Sequence, residues 1–427
     1  MFVSCMNFTK ECYYPQRAEK QIDQITRMCM KKSINKKAAL SSGLLFAGIL
    51  SLNVLAGDIP VSQGQFSQTR FRTSVNLTEG YDDNTQTSNT NRQESGFTGI
   101  QVNTFADLGN SRTAFTIGVG AGLTYYYDRP GTKLDKLASL TLNVAHRLNE
   151  RLTLSLNSYL TYQVEPDFTL LVAQNRVNGQ YFYTGDTLSA TYQWTRRFQT
   201  VTSYQFLGIF YQDSAAKVAN DYMSHTFGNQ FRFVLTPTTT VIGEYRLGMV
   251  EYLYQTQRNS LTNSFLGGLE HSFSPKFTVS MRVGAQIQSQ NQGGSATSPY
   301  GEGTLSYAYR HYSNITGYLR YGFDYSNVGV GQTDKALRAG LTITHGITPK
   351  LSVYLGFFYQ HDDYSTAGGS ATSGTTNDTF NITTGVRFAV SPRFSLSLGY
   401  TRTQLISNSP SQEYDRDVVT LGAAYTF

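Results

Sequence analysis

Cysteine is scarce, and it is missing altogether from most of the chain: of 427 residues only Cys5, Cys12 and Cys29 are cysteine, all ahead of residue 57. A protein cut after Ala56 carries no thiol, which excludes disulfide stapling, a cysteine nucleophile and a thiolate metal site. It also argues against a lipid-modified N-terminus. Charge is sparse, at 15% of residues, and no apolar run reaches the ~20 residues that a membrane-spanning helix needs. No Walker loop, zinc spacing or dinucleotide fingerprint occurs, so neither a cofactor nor a metal is expected. Tryptophan occurs once, as Trp194.

The formal charge of +6 invites a nucleic-acid partner, but its location removes that reading. Residues 1–56 hold 8 Lys and Arg against 3 acids, which leaves 27 against 26 for the rest. A nearly neutral body has no polyanion-binding field. The basic cluster Lys31, Lys32, Lys36 and Lys37 precedes an apolar stretch, Ala38 to Val54, that ends in Val54-Leu55-Ala56. A charged segment, a short apolar segment and a small-residue cleavage site make a secretory signal peptide, and the stretch is too short for a single-pass anchor. The expected organisation is an upstream segment 1–29 ahead of a start at Met28 or Met30, a signal peptide 30–56, a periplasmic segment 57–69 and one domain over 70–427.

What the chain does have is aromatic residues, 30 Tyr and 26 Phe, set in period-2 alternation from about Arg70 onward. Leu351-Ser-Val-Tyr-Leu-Gly-Phe and Phe394-Ser-Leu-Ser-Leu-Gly-Tyr are typical: one face is Leu, Val, Ile and aromatic, the other Ser, Thr, Gly and Asn. This is the signature of half-buried strands. A soluble sandwich shares it, so the connections decide. Short ones such as Asn149-Glu150, Thr236-Pro237-Thr238, Ser274-Pro275-Lys276, Thr348-Pro349-Lys350 and Ser391-Pro392-Arg393 alternate with long polar ones. The long set includes 81–93, 165–186, 291–300, 363–378 and 407–415. Short turns on one rim and long loops on the other belong to transmembrane barrels of a Gram-negative-type outer membrane.

The expected fold is therefore all-β, a transmembrane antiparallel up-and-down β-barrel of about 18 strands with both termini periplasmic. The strands fall at 70–80, 94–106, 113–127, 136–147, 152–164, 186–194, 198–212, 221–235, 239–252, 261–273, 277–290, 301–311, 313–326, 335–346, 351–362, 379–391, 394–406 and 416–427. Alternation is ambiguous in 94–106 and 198–212, which leaves 16 as the other count. The last strand puts Val419, Leu421, Ala423, Tyr425 and Phe427 on one face. Tyr425 and the terminal Phe427 resemble the C-terminal signature that the barrel-assembly machinery reads. Closure itself is required because every backbone polar group in lipid must be paired.

Histidine is the natural candidate for catalysis, but the six are scattered. His146, His271, His311 and His345 continue the outward phase just before short turns, and His225 and His361 do so near long loops. With Trp194 they are expected to anchor the barrel at the membrane interfaces, in contact with outer-membrane lipid. No His is grouped with an acid or Ser as a hydrolase requires, so no catalytic residue is assigned. Ionisable groups are tolerated toward a water-filled lumen and costly toward lipid. The projection places Arg72, Arg232, Arg246, Arg282, Arg320, Arg338 and Arg387 inward, against Glu244, Glu270 and Asp324. Such an interior leans positive and would draw in anions; the same arginines could instead pair with the acids and brace the wall. Inward glycines, Gly118, Gly120, Gly122, Gly340 and Gly356, would widen the lumen or let neighbours pack closely. The acidic segments Tyr81-Asp82-Asp83-Asn84 and His361-Asp362-Asp363-Tyr364 lack the ligand spacing of a calcium loop and read as solvated.

The first strand Phe71-Arg-Thr-Ser-Val-Asn-Leu-Thr-Glu-Gly, the turn Tyr81-Asp82-Asp83-Asn84 and the Tyr-rich hairpins running to a terminal Phe resemble the second β-barrel porin family over residues 65–427. The resemblance implies an outer-membrane barrel of porin-like function, in some members associated with export of surface polysaccharide, and supplies no catalytic residues. The expectation is a channel for passive diffusion of small hydrophilic solutes, narrowed by the 165–186 loop with Phe168, Tyr181, Phe182 and Tyr183. The alternative is an exopolysaccharide-export or adhesion barrel whose long loops make the contacts. Oligomeric state is open at this point.

Overall fold

A computed structural model describes residues 70–164, 179–292, 294–324, 332–366, 374–409 and 412–427. The upstream segment, the signal peptide, the periplasmic segment 57–69 and Phe168 lie outside the described residues. The strands are β1 (Arg70–Asp82), β2 (Ser95–Gly109), β3 (Thr113–Tyr126), β4 (Leu134–Arg147), β5 (Leu152–Gln163), β6 (Tyr181–Gln193), β7 (Phe198–Tyr211), β8 (Tyr222–Thr236), β9 (Thr239–Tyr252) and β10 (Ser260–Ser274). They continue as β11 (Phe277–Gln290), β12 (Gly294–Arg310), β13 (Ser313–Asp324), β14 (Gln332–Gly346), β15 (Leu351–Thr366), β16 (Thr375–Ala389), β17 (Phe394–Ser407) and β18 (Tyr414–Thr426). Each pairs antiparallel with its neighbours in sequence, and β1 also pairs with β18, so the 18-stranded sheet closes on itself.

The strand count is 18, and the short-turn ends lie within three residues of where alternation puts them. The long-loop ends do not. β6 begins at Tyr181 rather than 186, β12 at Gly294 rather than 301 and β16 at Thr375 rather than 379, while β15 runs on to Thr366. Tyr181, Phe182 and Tyr183 are therefore wall residues, not part of a constricting loop. The strands span 12 to 17 residues, more than the ~9–11 that a tilted crossing needs. They project past the membrane on the long-loop side.

Burial is inverted relative to a soluble protein, and this separates the barrel from a sandwich. Val119, Val283, Leu319, Leu398 and Leu421 are each more than half exposed, whereas Asn103, Thr161, Gln286, Ser298, Arg338 and Thr379 are buried. An apolar exterior of this extent is soluble only in hydrocarbon. Two glycines show what the inner phase needs. A Cβ on Gly80 would strike the Phe97 ring and one on Gly340 the Tyr318 ring, so both make room for a neighbouring aromatic rather than widening the lumen.

One short helix, α1 (Ser214–Asn220), stands between β7 and β8. Its Ala216 packs into a buried cluster of inward residues on β6 to β9, with Tyr183, Leu207, Ile209, Tyr211, Tyr222 and Tyr252. The helix thus folds inward at the long-loop rim.

Candidate functional site

Register, more than sequence, organises the lumen wall. Arg232 of β8 lies opposite Ile242 of β9, Ile242 opposite Gly268 of β10, and Gly268 opposite Arg282 of β11. The row continues through Glu302 of β12, Arg320 of β13, Arg338 of β14 and Gln360 of β15. Four of the seven arginines therefore stand in one cross-strand row. Because barrel strands are tilted, a row at right angles to them climbs the wall. Arg232 sits four residues from the short-turn end of β8, whereas Gln360 lies six residues from the long-loop end of β15. The row is a ladder from one rim towards the other.

Five of the seven arginines of the wall face carboxylates. Arg232 donates to Glu270 at 2.6 Å. Arg246 donates to Glu244 at 2.6 Å and to Glu302 at 2.8 Å, and Arg282 reaches Glu302 at 2.7 Å and Glu244 at 3.0 Å. Tyr300 accepts from Arg246 and donates to Glu302. Arg338 is paired with Asp324, and Arg72 with Asp107 at 3.3 Å. Arg320 donates to the Phe323 carbonyl at 3.2 Å and Arg387 to the Ser395 hydroxyl at 3.4 Å. Glu302, Asp107, Asp334 and Asp362 add negative charge that the strand projection passed over. Glu302 was legible, since it shares the phase of Thr304 and Ser306; Asp107 and Asp334 sit just beyond the expected strand limits.

The two acidic segments are not solvated loops. Asp82 is fully buried and takes three contacts of 2.6 to 3.1 Å from Arg416 across the β1–β18 seam. Around it, the Asn84 side chain donates to the Asp415 carbonyl at 2.8 Å, and the Asp417 N–H donates to the Asp83 carboxylate at 2.7 Å. Tyr81-Asp82-Asp83-Asn84 is a clasp on the closure. In the second segment, Asp362 and Tyr364 are buried inward residues of β15, while the His361 ring meets Asp378 at 2.9 Å.

At the mouth, a single 3₁₀ turn, Thr256–Arg258, backs α1. The Arg258 guanidinium lies 4.0 Å over the Tyr252 ring and donates to the Ala219 carbonyl at 2.7 Å. Burial pushes its pKa down, opposed by Tyr252, Tyr222 and Tyr364. Asp221, after the helix, accepts the Tyr211 N–H at 2.7 Å. Burial raises its pKa, and the Tyr211 N–H and Lys217 act against the rise.

Most of the residues expected at the membrane interfaces take cross-strand partners. His146 and His271 meet the hydroxyls of Thr113 and Thr239, and His345 and His225 those of Tyr309 and Tyr204, each at 2.8 Å. Trp194 donates to Thr200 at 3.0 Å, and His311 packs edge-on against Tyr312. Sequence reading missed a matching set of tyrosine–carboxylate pairs toward the long loops: Tyr81 with Glu94, Tyr127 with Glu79, Tyr359 with Asp378 and Tyr400 with Asp417. Tyr425 and Phe427 stack edge-to-face at 4.9 Å, and the Phe427 N–H donates to the Thr73 carbonyl. Among the described residues, no group of three or more His, Cys, Asp or Glu could hold a metal.

A closed antiparallel ring, apolar outside and polar within, defines an outer-membrane β-barrel of porin type. The chain belongs to the family described as "Putative beta-barrel porin 2", whose model matches residues 64–427. Family and fold are those of transport channels rather than enzymes. No curated protein matches by sequence. Among solved structures it is similar to Pseudomonas aeruginosa OccK9 (OpdG), with TM-score 0.46, 11% identity and coverage of 86% of this chain and 100% of that one. Acinetobacter baumannii OccAB4 gives 0.44, 12%, 85% and 100%, and the siderophore receptor PirA of the same organism 0.41, 9%, 84% and 81%. At these scores the likenesses add no functional argument.

Proposed function

We propose that the protein is a passive outer-membrane channel for small hydrophilic solutes, with a track for anionic groups along one wall. The observation that carries this reading is the row Arg232, Arg282, Arg320 and Arg338, which rises along the lumen of a closed barrel. Glu244, Glu270, Glu302 and Asp324 hold the guanidinium groups of Arg232, Arg282 and Arg338 in place, and the Phe323 carbonyl holds that of Arg320. The carboxylates also reduce the net field, so the anion preference is weaker than seven unpaired arginines would produce. Helix α1 and the Arg258 turn narrow the entrance with aromatic surface. Solute passage is then set by width and by short-range hydrogen bonding to guanidinium groups rather than by long-range attraction.

Reconstituting residues 57–427 in planar bilayers tests the proposal. A steady conductance with a reversal potential displaced modestly toward anions across a salt gradient is expected, with partial block by carboxylate solutes. Cation preference refutes the anionic track. Absence of conductance, together with surface binding of polysaccharide that depends on the long loops, points instead to the export or adhesion reading.

A further inference from the structure

The lipid-facing surface is not uniform, and its exception lies at mid-depth. Around most of the ring the outward residue near the middle of each strand is a large apolar one: Val102, Val119, Leu140, Val283, Leu319 and Leu421 are examples, all exposed. On β5, β6 and β8 the corresponding residues are Ser158, Asp186 and Asn229, and Thr202 of β7 lies on the same face nearer the short-turn rim. Ser158 stands opposite Asp186 and Thr202 opposite Asn229, so this face carries two polar pairs, with Leu188, Tyr204 and Phe206 between them. That Asp186 faces outward follows from its phase, shared with the exposed Phe182 and Leu188, and from its partners: Ser158 and Thr184 donate hydroxyls to its two carboxylate oxygens. Above the pairs, His225 bonds Tyr204 through Nδ1, which leaves the far side of the ring directed away from that bond.

Hydrocarbon offers these groups nothing beyond the bonds they already make to one another, and headgroups do not reach mid-depth, so burial against a second protein surface is favoured over lipid. We propose that this face, β5 to β8, is where a second copy of the chain docks in the membrane. The face holds what it needs to meet itself. A carboxylate with acceptor capacity to spare lies on β6, and an amide and an imidazole lie on β8, so the donors of one copy can meet the acceptor of the next. Beside it, Gly243 of β9 and Gly267 of β10 stand opposite each other on the outer face, with nothing within 4 Å of where a Cβ would be. This flat spot lets a neighbouring wall approach closely.

The mature protein has no cysteine, so single cysteines report the contact directly in native membranes. Thr202→Cys is expected to give a disulfide-linked pair of this chain, and Val283→Cys, away from this face, is not. The double variant Asp186→Leu/Asn229→Leu removes the polar need while making the surface more lipid-like. It is expected to fold, as read by its heat-shifted electrophoretic band, and to move from an oligomeric to a single-chain mass in native mass spectrometry. Equal cross-linking at both cysteines, cross-linking of Thr202→Cys to a different polypeptide, or a single-chain mass for the unaltered protein in bilayer discs would each overturn the proposal.

Discussion

Replacing Asp82 by Ala removes the carboxylate that Arg416 meets across the seam. Asp82 is fully buried and the Arg416 side chain is about one-tenth exposed, with contacts of 2.6 to 3.1 Å. Taking away one partner of a buried ion pair leaves an uncompensated charge, which costs about 3–5 kcal/mol. The Asn84 N–H also loses its acceptor, at present 3.0 Å away, and an unsatisfied buried donor adds about 1–3 kcal/mol if it finds no water. The two losses share one site and do not simply add, so about 4 kcal/mol is the working figure. At ~1.4 kcal/mol per tenfold, local opening of the seam becomes roughly a thousandfold more frequent. Denaturant unfolding from lipid vesicles, followed by loss of the heat-shifted electrophoretic band, measures the stability. Protease access to residues 83–94 measures the local opening. The double variant Asp82→Leu/Arg416→Met separates charge from packing, because apolar groups of similar volume replace a buried pair at little or no cost. The reasoning fails if Asp82→Ala unfolds within ~1 kcal/mol of the unaltered protein, or if the double variant is as unstable as the single one.

Three further outcomes follow from the wall and the mouth. Glu302→Gln strips a shared carboxylate from Arg246 and Arg282, so the reversal potential should move toward anions; an unchanged potential would place these groups away from the ion path. Ala216→Asp puts a polar group into the Tyr183–Tyr252 cluster at a cost of about 1–3 kcal/mol, which should undock α1 and raise single-channel conductance and its noise. The raised pKa of Asp221 makes the α1 region most stable below the ordinary carboxylate pKa of about 4. That contribution is lost as pH rises through the raised value. Near-UV circular dichroism from the surrounding tyrosines should follow this change, and Asp221→Asn should abolish it.

Period-2 alternation and Pro-bearing turns made the strand number and the short-turn rim legible, because lipid on one face and lumen on the other enforce the pattern. Beyond the membrane that constraint lapses. Gly294 to Pro299 and Thr375 to Asp378 read as loop from composition, yet they continue β12 and β16 because the neighbouring backbone is there to pair with. The inward phase of the arginines was legible strand by strand. Their alignment into a ladder was not, since register is a property of two strands and turn geometry sets it. Least accessible was the clasp: nothing local in Tyr81-Asp82-Asp83-Asn84 indicates that its counter-charge lies 334 positions away.

That separation has a consequence for how such a barrel is built and how it can vary. Every strand pairing in the ring but one joins strands adjacent in sequence, so seventeen of the eighteen pairings can form as each hairpin is completed. Only the meeting of β1 with β18 spans the whole chain. The entropy of closing a loop grows logarithmically, so doubling the intervening chain adds only about 0.6 kcal/mol. Inserting or deleting a hairpin in mid-chain would thus barely alter the cost of closure, provided that the first and last strands and their clasp are kept. The seam is the part that must be conserved in chemistry, and circumference is the part that is free to change.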